Sequence, residues 1–183
     1  WSWMMRYGPS GATLIIDVEK GPTAEFLESA RRASFARIVV IAGSGYALQD
    51  WNSTQALSDW VVCQSITGPK SDVIKVLSGI DYIMIDPQFA QCVPDFNGPI
   101  VIGMGGTDPH ELTPQALVAL QDIGREVMAM NGHWESIKPA LDGAALLIGA
   151  LGMTAYEAAA AGVPSLLTGW SPDQIMTAEQ LEA

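Results

Sequence analysis

Positive charge is scarce in this chain. Nine Lys and Arg stand against twenty Asp and Glu in 183 residues, a formal net charge of −11. That balance argues against a nucleic-acid binder, whose affinity rests on Lys and Arg at phosphates, and disfavours an anionic membrane surface. It does not exclude a nucleotide ligand, because helix N-termini and backbone amides can hold a diphosphate locally. Cysteine is nearly absent: Cys63 and Cys92 follow neither metal-ligand nor redox spacing. Two buried thiols in a reducing, cytoplasmic setting are therefore expected. Two histidines, His110 and His133, without paired cysteines are too few for a closed zinc centre, so no metal and no cofactor is expected. No apolar run reaches the length of a membrane span, and the opening Trp1-Ser-Trp-Met-Met-Arg6 lacks the shape of a signal peptide. Internal repeats and low-complexity tracts are missing as well.

What the chain does have is an apolar content of 49%, enough to expect a packed core rather than disorder. Strand and helix signals alternate along it. Thr13–Val18, Arg37–Ala42, Trp60–Gln64 and Asp81–Ile85 read as strands, Ala24–Ser34 as a helix and Asp72–Leu77 as a short one. Three prolines and a glycine in residues 87–99 mark a domain linker. The rhythm resumes with strands at Ile100–Gly103, Glu126–Met130, Ala144–Ile148 and Ser165–Thr168. Between and after them come helices at Pro114–Ile123, Glu135–Leu141, Thr154–Ala161 and from about Asp173. Strands that are apolar throughout, separated by helices, predict parallel sheets covered on both faces. The expected fold class is α/β, two small Rossmann-like halves spanning residues 1–93 and 99–183.

Two glycine turns stand out. Gly152-Met-Thr-Ala-Tyr-Glu157 follows one apolar run, and Gly103-Met-Gly-Gly-Thr-Asp108 follows another. Each reads as a strand that stops at a turn and restarts as a helix, with free amides facing beyond the strand end. Such a crevice suits a phosphate-bearing ligand. Thr154 is a candidate helix cap. Glu157, three residues on, either completes a capping box with it or turns outward to accept hydrogen bonds from a ribose diol. Thr107-Asp108-Pro109 reads as a turn and N-cap or as a substrate contact. His110 is a solvated histidine or a proton carrier, while His133 reads as a loop residue. Asp17 and Asp86 lie at strand ends, where carboxylates of parallel sheets do acid–base work, yet nothing brings them together in sequence. Trp51, Trp60, Trp134 and Trp170 sit near loops, placed to stack a ring or to pack a core or interface.

Four ordered segments resemble a known family: Asp86-Pro-Gln-Phe-Ala90, Gly105-Gly-Thr-Asp-Pro109, Gly149-Ala-Leu-Gly-Met-Thr-Ala-Tyr-Glu157 with Ala161-Gly-Val-Pro164, and Asp173-Gln174 with Ala178 beyond. Together they are similar to glycosyltransferase-B type proteins, nearest to the UDP-sugar hydrolases of pseudaminic acid synthesis and their spore-coat polysaccharide relatives. The resemblance covers about two thirds of the chain and implies a shortened architecture of that type. It further implies a UDP-sugar ligand: Gly105, Gly106 and Thr107 near the phosphates, and Gly152, Met153 and Thr154 offering amides to the diphosphate. Glu157 would bind the uridine ribose, with Asp173 and Gln174 near the sugar. The sequence departs from the family in four places, one of them the segment Glu126–Leu147, which is shortened as if a strand and its connections were missing. The first-domain glycine turn bearing His and Arg has no counterpart before Thr13. Met153 stands where a small hydroxyl residue is usual, and Thr177 stands near an expected Asn.

The function implied is nucleotide-sugar binding, with hydrolase or glycosyltransferase chemistry if a general base is present; His110 is the candidate with a suitable intrinsic pKa. A non-catalytic shortened scaffold is the rival; a third reading is a fragment whose catalytic half was lost upstream or is supplied by another chain, its exposed faces hidden in a homo-oligomer.

Overall fold

A computed structural model describes residues 11–18, 21–43, 48, 50–106, 108–130, 132 and 136–181. The chain forms two compact units, divided between Met84 and Ile85. Each contains a four-stranded, all-parallel sheet with helices, so the protein is α/β with two small Rossmann-like halves. No helix among the described residues is long and apolar enough to cross a membrane.

The first unit runs β1 (Thr13–Asp17), α1 (Ala24–Arg32), β2 (Arg37–Ala42), α2 (Trp51–Leu57), β3 (Trp60–Cys63) and β4 (Lys75–Leu77). Helix α1 starts where the Phe26 amide donates to the Thr23 hydroxyl, and it ends with Arg31 and Arg32 near its negative pole. Asp50 caps α2, accepting from the Ser53 amide. Ile38, Val40, Val61 and Cys63 point inward beneath Leu27 and Ala30, forming one buried cluster. Asp59 ties the layer together. Its carboxylate accepts from the Ile38 amide at 2.7 Å and pairs with Arg31 at 3.0 Å.

The strand order is β1-β2-β3-β4, so each crossover steps the same way across the sheet. Right-handed crossovers in one direction place every connection on one face. The second face carries Ile15, which is exposed, and Val39, Ile41, Trp60 and Val62, which are half-buried.

Two local readings are corrected. Residues 72–77 form no helix. Ile74 and Val76 pack against the core, and Lys75–Leu77 pairs with β3 as a strand, the conformation that β-branched residues favour. Residues 81–85 form no strand: Ile80–Tyr82 is a 3-10 turn. The Gln64 side chain replaces the strand neighbour, donating through Nε2 to the Tyr82 carbonyl and accepting at Oε1 from the Met84 amide.

The second unit runs from a 3-10 turn at Pro87–Gln91 through β5 (Ile100–Gly103), α3 (Leu112–Leu120), β6 (Val127–Ala129), α4 (Lys138–Leu141), β7 (Leu146–Ala150), α5 (Met153–Ala160), β8 (Ser165–Thr168) and α6 (Pro172–Leu181). Residues 87–99, read above as a linker, belong to this unit. Phe89 and Cys92 are buried in its core with Val101, Leu141, Leu147, Ala158 and Val163. The prolines there set turns rather than a domain boundary. Both cysteines are buried, as expected, and neither is in a disulfide. Gly162, at φ 72°, ends α5 in the left-handed conformation open to glycine.

The order β6-β5-β7-β8 differs in one decisive respect from that of the first unit. From β5 the chain goes one way to β6, then returns past β5 to β7 and β8. That reversal puts α3 on one face, and α4 and α5 on the other. It also opens a switch point between β5 and β7, the place where parallel α/β sheets leave a crevice beyond their strand ends.

Candidate functional site

Both glycine turns meet at this switch point. Gly103 and Gly149 lie opposite each other in the β5–β7 register. A Cβ on Gly149 would stand 2.8 Å from the Gly103 carbonyl oxygen, so the close approach of the two strands requires glycine there. Beyond the strand ends opens a cavity of about 310 Å³. Its walls come from Gly103, Gly105 and Gly106 after β5, Met130 and Gly132 after β6, Ser136 and Ile137 before α4, and Met153, Thr154 and Glu157 of α5. Gly105 takes φ 86°, which turns the backbone sharply away from the strand.

The start of α5 differs from the sequence reading. Its N-cap is Gly152, which offers no side chain, so Thr154 is the second helical residue and not the cap. The capping box with Glu157 therefore does not form. Glu157 lies one and a half turns into the helix, too far along to reach the first amides. Among the described residues, no group accepts from the Met153 or Thr154 amides; the Ala155 amide bonds back to the Gly152 carbonyl. These two donors and the positive pole of α5 lie at the cavity wall. Glu157 is half-buried in that wall, and desolvation holds its carboxyl above the ordinary 4.5. It is the one titratable side chain among the described lining residues.

The other helix start is closed by the protein itself. The Asp108 carboxylate accepts from the Leu112 and Thr113 amides, each at 2.9 Å. Burial pushes the Asp108 pKa up, but the hydrogen bonds from Thr113 and Leu112 pull harder and leave it below 3.8. Asp108 thus covers the first two amides of α3, although the N-cap position itself is Glu111 and not a residue of the Thr107–Pro109 segment. Because its folded-state pKa is depressed, the stabilisation it gives is present above 3.8 and lost as pH falls through the folded value. Asp108→Ala is expected to cost about 1 kcal/mol at neutral pH, and urea titrations of the two proteins should converge on acidification.

The remaining sequence candidates lie elsewhere. His110 is exposed and outside the cavity lining, its ring edge-on to Trp170 with centroids 5.9 Å apart. Gln174 is turned back on its own loop, its Oε1 accepting from the Trp170 amide at 3.0 Å. The neighbouring Asp173 accepts the Thr177 hydroxyl at its backbone carbonyl. Neither lines the cavity. Thr107, His133 and Trp134 lie outside the described residues. The structure thus brings Gly105, Gly106, Met153, Thr154 and Glu157 together at one wall, with Gly152 immediately before it, and leaves His110, Asp173 and Gln174 away from it.

No family model matches this chain, and no curated protein matches it. Met130, Ser136 and Ile137 were not anticipated. Met130 follows an apolar strand end, a position that topology alone could have flagged. A second cavity of about 440 Å³ lies against α3 and strands β7 and β8, lined mainly by apolar residues such as Leu112, Ala116 and Leu166. No group of three or more potential metal ligands occurs among the described residues.

Proposed function

We propose that the second unit binds a nucleotide sugar, a UDP-sugar by resemblance to glycosyltransferase-B type proteins. The observation that supports this most is the contrast between the two helix starts. Asp108 fills one, while the other presents the amides of Met153 and Thr154 to a cavity at the switch point. A diphosphate there accepts hydrogen bonds from those amides and gains from the helix dipole. The ribose hydroxyls donate to the Glu157 carboxylate. Gly105 and Gly106 let the phosphates approach the backbone of the opposite turn.

Basic residues are few near this site. Of the nine, only Arg125 and Lys138 fall in residues 85–183, and Arg125 donates to the Phe96 carbonyl. Lys138, next in sequence to Ile137 of the cavity wall, is the nearest candidate counter-charge. Amides rather than side-chain cations would carry the phosphate. Binding without turnover is the reading that the described residues favour, because His110 lies away from the cavity and Glu157 is the titratable group within it.

Thermal denaturation with UDP, a UDP-N-acetylhexosamine and an adenine nucleotide tests the proposal. Uridine ligands at about a hundred times their Kd should stabilise by about 2.7 kcal/mol, with the adenine nucleotide giving less. Glu157→Gln removes a desolvated charge, so the free protein should melt higher at neutral pH while its response to UDP collapses. Binding to the wild type should weaken as pH falls toward the raised Glu157 pKa, because the protonated carboxyl loses its acceptor strength. No stabilisation by any nucleotide, or an undiminished UDP response in Glu157→Gln, would remove the proposal.

A further inference from the structure

Sulfur is unevenly accessible in this chain, and the difference falls at the cavity of the second unit. Both cysteines are buried and neither lines it, so thiol chemistry does not belong to that wall. Two methionines do line it. Met130 is 7% exposed, its methyl 2.6 Å from where a Cβ would stand on Gly103, so it is tucked against the end of β5. Met153 is 37% exposed. Met84 and Met176 are exposed as well but lie away from the cavity lining, while Met104 is buried and Met128 half-buried. Among the described residues, Met153 is therefore the solvent-accessible sulfur of this wall.

Met153 also opens α5, where its own amide and that of Thr154 are the two donors left without an acceptor. One residue thus carries a free donor on its backbone and an oxidisable thioether on its side chain. Attack of such a sulfur on hydrogen peroxide breaks the O–O bond and forms an S–O bond. Two electrons pass from sulfur to peroxide, and the second oxygen leaves as water. The sulfoxide that results is polar where the thioether was apolar, and its oxygen is a hydrogen-bond acceptor. Two thiols reverse the step when a methionine sulfoxide reductase catalyses it, giving back the thioether with a disulfide and water.

We propose that Met153 is an oxidation switch on this cavity: peroxide converts its thioether to the sulfoxide, which excludes a phosphate-bearing ligand, and reduction readmits it. The inference rests on the nucleotide-sugar reading given above. At the positive pole of α5 the sulfoxide oxygen meets unpaired amides, so the empty site favours it. A phosphate draws on the same donors and is repelled by a second acceptor beside them. In turn, a bound nucleotide covers the sulfur and slows its oxidation. Met130, shielded beneath, stays reduced, so the floor of the cavity keeps its packing while the rim changes polarity.

Limited peroxide treatment of the full chain tests this, with oxidation located by peptide mass spectrometry and UDP affinity measured by titration calorimetry. Met84, Met153 and Met176 should oxidise well before Met104 and Met130. Saturating UDP should slow oxidation of Met153 and leave Met84 and Met176 as reactive as before. On oxidation the Kd for UDP should rise at least about tenfold, as for one lost hydrogen bond to a charged group, and a methionine sulfoxide reductase with a thiol should restore it. The combined variant Met4→Leu, Met5→Leu, Met84→Leu and Met176→Leu should show the same loss on oxidation, which then falls on Met153. Met153→Leu, compared only with itself, should give one Kd before and after peroxide. If that variant binds too weakly to titrate, the protection of Met153 by UDP and the combined variant decide. A reduced wild type that does not bind UDP removes the nucleotide reading and this inference with it. Affinity that survives complete oxidation of Met153 overturns this inference alone. So does a Met153 that resists peroxide like Met130, or one that bound UDP fails to protect.

Discussion

Gly98→Ala should destabilise the second unit by about 3 kcal/mol, the upper range for forcing atoms into packed structure. A Cβ at Gly98 would collide with the carbonyl oxygen of Gly143 and stand 3.0 Å from that of Asp95. Both obstacles are backbone, so no rotamer change relieves them. Nor can the loop swing aside. The Val93 amide donates to the Asp142 carboxylate at 3.0 Å, the Gly143 amide to the Val93 carbonyl at 3.2 Å, and the Ala145 amide to the Pro99 carbonyl at 2.9 Å. These bonds stitch residues 93–99 to the turn before β7. The Gly98 amide itself donates to Asp95, closing a tight turn. Urea denaturation of Gly98→Ala against wild type measures the loss. A change below about 1 kcal/mol would mean that the turn relaxes freely.

The second unit was more legible in sequence than the first. Ile100–Gly103 and Ser165–Thr168 are strands with the bounds their apolar runs suggested. Each is bracketed by Gly or Pro, and each continues into a turn with a defined stop. In the first unit the errors cluster where tertiary pairing decides. Val76 and Leu77 become strand because β3 offers an unpaired edge, and 81–85 fails as strand because the Gln64 side chain has taken the neighbouring position. Helix α2 went unread: its residues, Trp51-Asn-Ser-Thr-Gln-Ala-Leu57, show little helical periodicity, and only Asp50 marks its start. Strand order was invisible. One sheet winds in one direction and the other reverses, and no local pattern distinguishes them.

The residues of the two glycine turns lie at the wall of one cavity, but the local detail differs from the sequence reading. Glycine at 149 follows from the close approach of β5 and β7, and glycine at 105 from its positive φ. The spacing of Thr154 and Glu157 suggested a capping box, yet the helix begins at Met153, two residues earlier than that box requires. A boundary shift of two residues moved Glu157 from a cap to a cavity wall. Gln174 illustrates the opposite case. Its position after Asp173 resembles a ligand-binding pair, whereas its amide oxygen is taken by the Trp170 backbone. Side-chain partners of that kind depend on loop geometry, which residue identity does not encode locally.

Leu147→Ala should cost about 3 to 4 kcal/mol, the range for a large-to-small change in a closed core. Leu147 is fully buried in the middle of β7, among Val101, Leu141, Ala158, Ala161 and Val163. Its δ-carbons lie 3.5 Å from where a Cβ would stand on Gly103 or on Gly149, so it fills the space beneath the two glycines that bring β5 and β7 together. Truncation leaves a cavity under the floor of the candidate site, bounded by strands that backbone pairing holds apart. The melting temperature of this unit should fall on the order of 15 °C. The two buried clusters share no residue, so the loss should stay within one of them. Native-state hydrogen exchange should show amides of β5, β7 and α5 opening more readily, while those of β2, around Val40, keep their protection. Val40→Ala should give the mirror image, sparing the cavity and its ligand response. Equal loss of protection at Val40 and Val101 in either variant would instead make the two clusters a single cooperative unit.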